Sequence, residues 1–405
     1  MLGSLCLIFL VSLMASSLCQ KLKLPGIVGM LLTGVVLGPQ IFNLIDGTLL
    51  GISSQLRQIA LIIILIKAGL SLNLSDLKKV GRPAVMMSFV PASFEILGYF
   101  VFAPILLGLT KAEAALTGAV LAAVSPAVVV PRMVRLMEEG YGTDKSIPQM
   151  ILAGASCDDV FVIVLFSSFT DLVSSGKANL LSLVSVPISI LTGVALGAVR
   201  GVFLSFVFEK AYKKGSYIRN SIKVIIVLAV AFGLMSAETT LKKHIPLSGL
   251  LAVVSMACIL KIKSPAGVSA RLSAKFGKLW LRAEVTLFVL VGAAVDIRYT
   301  TAAGVGAILL IFVCLVFRAV GVCVCLLGTS LTIKEKLFCI LAYLPKATVQ
   351  AAIGSVPLAM GFACGNTVLS VAVLGILITA PMGAFAIDNF YKKLLEKEKT
   401  TVTAV

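Results

Sequence analysis

Six ionisable residues lie deep inside apolar stretches of this 405-residue chain: the acids Glu95, Asp158, Asp159 and Glu284, and the bases Arg318 and Lys346. An unpaired charge in hydrocarbon costs on the order of 2.5–3.5 kcal/mol on insertion scales, so each of these residues needs a partner or a purpose. Counted at about 1.5 Å per residue from the basic ends of their segments, they share a layer roughly 10–20 Å deep. If all are ionised, two negative charges are in excess, a deficit that a cation or protons would fill. Asp158 and Asp159 are neighbours on a helix, so their side chains diverge by about 100° and cannot face each other across a scissile bond. That argues against an intramembrane aspartyl protease. One aspartate can instead line a cavity while the other meets a protein partner. His244 is the sole histidine and falls in a connection. A proton crossing the membrane would therefore ride on a carboxyl, or on a lysine able to lose its proton. Glu95 and Arg318 are expected to form a structural ion pair. Lys346 is within reach, on depth alone, of Asp158 and Glu284; it could neutralise the carbonyl end of a half-helix, pair with Asp158, or carry a proton itself.

The elements that hold these residues are membrane helices. Residues are 59% hydrophobic and 13% charged, against roughly 25% charged in soluble proteins, which excludes a soluble enzyme. Apolar runs near 20 residues recur from end to end, the length that crosses a bilayer as a helix. Cutting at charged and Gly/Pro-rich breaks predicts thirteen spans: 3–19, 25–41, 54–72, 82–107, 112–131, 147–172, 179–209, 217–236, 246–262, 277–297, 301–327, 333–360 and 363–388. The first lacks a positive n-region and reads as a retained helix rather than a signal peptide. Basic residues divide 23 to 5 between the connections after odd and even spans. This asymmetry predicts a cytoplasmic C-terminus and an external N-terminus. It also accounts for the net charge of +17 without nucleic acid, since no basic cluster is interleaved with aromatics. The nine cysteines lie in apolar segments without CxxC spacing, so neither a zinc site nor a disulfide framework is expected.

An order-preserving likeness recurs at a shift of seven spans. Leu24-Pro25-Gly26-Ile27-Val28-Gly29 opens span 2 and Ile245-Pro246-Leu247-Ser248-Gly249-Leu250 opens span 9; Lys67-Ala68-Gly69 near the end of span 3 matches Val291-Gly292-Ala293 near the end of span 10. Seven is odd, so the second copy must cross in the opposite sense, giving an inverted repeat of spans 1–6 and 8–13. Such repeats are a mark of alternating-access transporters. The equivalent spans 5 and 12 are both interrupted, at Ser125-Pro126 and at Pro345-Lys346. Each proline removes a backbone donor and frees a carbonyl, and paired breaks point to a substrate site at mid-membrane. Arg57, Lys67, Lys223 and Arg282 lie close enough to span ends to snorkel and receive no role; Arg200 has no assigned place.

With Gly38-Pro39, Ala68-Gly69-Leu70, Ser125-Pro126-Ala127, Ala155-Ser156-Cys157-Asp158-Asp159 and Leu344-Pro345-Lys346-Ala347-Thr348-Val349-Gln350 added to the span 2 opening, nearly the whole chain resembles the monovalent cation/proton antiporter superfamily. It is most similar to the mammalian-type sodium/proton antiporters and their bacterial relatives, which combine an Asp-Asp pair, a Glu-Arg pair and a lysine in the second broken helix. The resemblance implies one membrane domain over 1–405 with an NhaA-type fold of thirteen helices. A core at about 82–172 and 301–388 would move as an elevator against a dimerisation scaffold at about 1–72 and 217–297, with 179–209 as linker. It implies Asp159 as the ligand for Na+ (or Li+) and for the exchanged proton, with Asp158 beside it. Lys346 and Glu284 would be coupling or charge-compensating residues, Ser125, Pro126, Pro345 and Thr348 the broken-helix positions, and Ser156 an extra ligand. The expected protein is a homodimeric secondary transporter in the cell membrane, as in a bacterial inner membrane, with no cofactor and no soluble nucleotide-binding domain. Electroneutral exchange is favoured because Glu284 would keep Lys346 charged. Sodium-coupled symport of an organic anion is the second reading; it would want fewer midplane carboxylates.

Overall fold

The computed structural model describes residues 1–71, 81–175, 180–213, 218–241 and 247–397. Within them the chain is helical, and strand geometry is limited to one isolated bridge between Tyr141 and Lys397. In order the helices are α1 (Leu2–Lys21), α2 (Gly26–Leu37), α3 (Gly47–Gly51), α4 (Ser53–Ser71), α5 (Arg82–Met87), α6 (Val90–Leu107), α7 (Lys111–Ala122), α8 (Pro126–Glu139) and α9 (Ile147–Ser175). There follow α10 (Leu180–Lys213), α11 (Asn220–Leu241), α12 (Gly249–Lys263), α13 (Ala266–Ala293), α14 (Ile297–Cys325), α15 (Ile333–Ala342), α16 (Thr348–Gly354), α17 (Val356–Ala359) and α18 (Gly365–Leu394). Among the described residues, nine helical segments are long and apolar enough to cross a membrane, and α2 and 348–359 are shorter apolar helices. The protein is an all-α multi-pass membrane protein.

Local chemistry explains where the predicted spans divide or lengthen. Span 82–107 splits into α5 and α6 because Pro91, in the first turn of α6, has no N–H to offer the preceding turn. Span 277–297 starts earlier, at Ala266, because the lysines that mark a break in sequence lie on one continuous helix. The segments before both interruptions start in the same way. Thr110 Oγ1 accepts from Glu113 N at 3.3 Å while Glu113 Oε2 accepts from Thr110 N at 2.9 Å. Thr332 and Glu335 repeat this reciprocal cap at 3.3 and 2.7 Å. The first segment then breaks after Ala122 and resumes at Pro126; the second breaks after Ala342 and resumes at Thr348.

Packing falls into two sets. In one, α1, α2, α4 and α13 pack together, and α4 also packs on α12, which in turn carries α10 and α11. Gly34 and Gly292 allow α2 and α13 to touch backbone to backbone, since a Cβ on either would collide with the Val289 or Leu31 carbonyl. In the other set, α6 packs on α7 and α14, α7 on α9, and α14 and α15 on α18. Arg200 is exposed on α10.

Candidate functional site

The two interruptions meet. The Ser125 backbone N–H donates to the Pro345 carbonyl at 2.7 Å, joining the breaks directly. An interrupted helix leaves its last carbonyls without intrahelical donors, and here side chains from other segments supply them. The Leu121 carbonyl accepts from Lys346 Nζ at 2.5 Å, that of Ala122 from Arg318 Nη1, and that of Ala123 from Gln350 Nε2 at 2.7 Å. On the second break, the Tyr343 carbonyl accepts from Arg318 Nε, Lys346 N donates to Thr379 Oγ1 at 3.0 Å, and Ala347 N donates to Gln350 Oε1 at 2.7 Å.

Charge is balanced within this crossing. Glu95 on α6 contacts Arg318 Nη1 at 2.8 Å and Lys346 Nζ at 2.6 Å, and all three side chains are fully buried. Asp158 Oδ2 accepts from the Val124 backbone N–H at 2.8 Å and lies 3.4 Å from Arg318 Nη2. Two carboxylates and two cations therefore neutralise one another. Depth in sequence suggested Asp158 and Glu284 as partners for Lys346; its ammonium is instead on Glu95. Depth supplies one coordinate, and the helix rotation that selects a neighbour is a second one.

Asp159 faces away from this network. It is 6% exposed, and its Oδ1 has no hydrogen-bond partner. Its surroundings are a small cavity lined by Leu61, Ile64, Leu65, Ala68, Val349 and Ile353, among others. Lys67 on α4 is within electrostatic reach of both Asp159 and Glu284, with its Nζ 5.7 Å from the Trp280 ring centroid. Lys67 is half-buried, although its distance from the span end allows it to reach water. Glu284 lines a cleft on the side of the chain that carries Arg132, Arg135 and Asp388. A second pocket opens elsewhere, floored by Leu61 and Ala352, residues that also line the Asp159 cavity. Ser125 is buried with its Oγ unpartnered, Pro126 opens α8, and Thr348 opens α16. The Ser156 side chain and His244 lie outside the described residues.

A family model described as "Sodium/hydrogen exchanger, transmembrane" matches residues 7–390. The chain belongs to that sodium/hydrogen exchanger family. Its relatives include "Sodium/hydrogen exchanger 9B2" of Xenopus tropicalis, 35% identical over 87% of this chain and 66% of the relative. The Homo sapiens 9B2 protein is 34% identical over 92% and 70%, and the Mus musculus 9B1 protein 31% over 93% and 67%. The chain thus spans about two thirds of the length of these relatives. In fold it is similar to the sodium proton antiporter MjNhaP1 from Methanocaldococcus jannaschii, with a TM-score of 0.81 and 21% identity over 97% of this chain and 98% of that one. Exchangers are secondary transporters rather than enzymes, and membership gives the symport reading no support. Gln350, to which the sequence assigns no role, closes both breaks. A glutamine deep in an apolar span was the available signal.

Proposed function

We propose that the chain exchanges Na+ or Li+ for H+ across the membrane, with Asp159 binding cation and proton in turn. The observation that carries this reading is a difference in counter-charge: Glu95 lies against Arg318 and Lys346 and Asp158 against Arg318, whereas among the described residues no cation is within salt-bridge distance of Asp159. With Lys67 beside Glu284, the buried layer holds four acids and three bases, leaving one negative charge. One monovalent cation or one proton completes it, which favours an electroneutral cycle. The ammonium of Lys346, held by Glu95 and the Leu121 carbonyl, is kept out of the exchange. No cofactor is called for, since cation and proton are the cargo.

Alternating access by elevator motion is supported by where the openings lie. The cleft at Glu284 is bordered by Gly26, Met30 and Leu281 of one helical set and by Ala127, Arg132 and Phe385 of the other. The pocket above Leu61 also lies between the two sets, with Met235 and Leu250 on one side and Phe166 and Ala352 on the other. Sliding one set past the other would open these routes to Asp159 in turn. The matching caps at Thr110 and Thr332 support the inverted repeat. Thirteen crossings, an external N-terminus, a cytoplasmic C-terminus, a homodimer and a cell-membrane location belong to the same reading. Asp159→Asn, reconstituted in proteoliposomes, should fold and show no sodium-driven proton flux; substantial flux from that variant refutes the assignment.

A further inference from the structure

Arg57 occupies an unusual position for an arginine. It lies on α4 three residues from the predicted start of its span, where a long side chain ordinarily reaches for water. Instead it is 6% exposed, and its Nε and Nη1 have no hydrogen-bond partner. Among the described residues it forms no ion pair. Asp171 and Glu238 line the same pocket and have interactions of their own, while Arg57 Nε and Nη1 have no hydrogen bond to either. A guanidinium cannot shed its proton to escape burial. A buried charge without a counter-charge is strongly unfavourable, so such a group is ordinarily matched by an anion.

The pocket suits one. It is walled by α4, α11 and α12 on one side and by α9, α16 and α17 on the other, with Gln55 and Gln58 exposed at its border. Ser54 Oγ donates to Gln55 Oε1 at 2.9 Å, which leaves the Gln55 amide nitrogen free to donate outward. The Thr170 hydroxyl is spent on the Phe166 carbonyl at 2.7 Å, and that of Ser167 is shared with Ser248 at 2.8 Å, so the guanidinium is the principal donor on offer. We propose that this pocket is a binding site for a small oxyanion group, a phosphate or carboxylate, held by Arg57 with the Gln55 and Gln58 amides at its mouth. Guanidinium donors are matched to such oxygens. The site is separate from Asp159, and its occupancy does not depend on the transport reading. An anion seated there would bridge the two helical sets and would offset the positive charge of Arg57 in the pocket above Leu61.

The test uses the purified full-length protein in a neutral detergent, with chloride, which carries no oxygens, as the background anion, and reads thermal unfolding. Inorganic phosphate is titrated in one arm and phosphatidylglycerol in another, with phosphatidylcholine as the neutral control. The unfolding temperature should rise by about 2–4 °C at saturation with at least one probe, because only the folded state binds it. A rise with phosphate identifies a free anion, and a rise with phosphatidylglycerol alone identifies a lipid headgroup. Arg57→Met should abolish either rise while its own baseline is unchanged or higher, the unpaired charge being gone. Should that variant not be recovered folded, Arg57→Lys, which keeps the charge but lacks the fork, should weaken the response at least about threefold. No rise with any probe, or an equal rise in the variants, overturns the proposal.

Discussion

Two adjacent residues on α9 live in opposite surroundings. Asp158 is tied to the Val124 N–H and to Arg318, inside a crossing where Glu95, Arg318, Lys346 and Gln350 supply what two broken helices lack. Asp159, one residue on, looks into an apolar cavity, and among the described residues no cation is within salt-bridge distance of it. A rotation of about 100° along the helix separates them. The lesson is that a pair of buried carboxylates need not be a functional pair: one is tied into the crossing, and the other is the carboxylate proposed for the ion.

The largest effect that sharpens this contrast should come from Arg318. Arg318→Gln leaves Glu95 and Asp158 with only Lys346 between them and strips donors from the Ala122 and Tyr343 carbonyls, a loss of about 3–5 kcal/mol by analogy with other broken buried pairs. Adding Asp158→Asn restores neutrality and keeps the Glu95 to Lys346 contact, so that double variant should recover part of the loss. Adding Glu95→Gln should recover less, because Lys346 then loses its carboxylate. Thermal unfolding of the three variants ranks them; equal stability for both doubles would mean that Lys346 does not rely on Glu95.

Asp158→Asn alone comes next. The amide oxygen can still accept from Val124, and Arg318 keeps Glu95, so exchange should persist with stability lowered by about 1–2 kcal/mol. Complete loss of flux in a folded Asp158→Asn protein would erase the distinction between the neighbours.

Smaller effects belong to the caps. Thr110→Ala and Thr332→Ala should each cost about 0.5–2 kcal/mol, read as a lower unfolding temperature. Lys145 Nζ contacts Glu335 at 2.8 Å, next to the second cap, and Lys145→Gln should cost less than either cap change. The hydrogen bond that Lys145 donates to Glu335 raises the lysine pKa above its ordinary value. Its contribution is therefore constant through neutral pH, fades as pH rises from the ordinary lysine value towards the raised one, and is gone above it.

Much of this arrangement was legible in the sequence, and the misses share a cause. Ser125-Pro126 and Pro345 announced the breaks because proline cannot donate within a helix, and the deep acids and bases stood out against apolar runs. The partner of Lys346 was misassigned, and Lys67 and Arg57 were set aside, because distance along a span gives depth without azimuth. Lys67 lies over the Trp280 ring within electrostatic reach of Asp159 and Glu284, and Arg57 lines a pocket, placements fixed by packing between segments far apart in the chain. The paired caps were readable as Thr-x-x-Glu, a local pattern that hydropathy alone passes over.

The central claim is that one carboxylate, Asp159, supplies the single charge exchanged in each cycle. Proteoliposome flux at a clamped pH gradient, with the membrane potential stepped, tests it most directly. The account predicts a sodium-dependent proton flux that does not change with voltage; a rate that scales with the imposed potential would contradict it and would return Lys346 to the exchange as a second proton carrier.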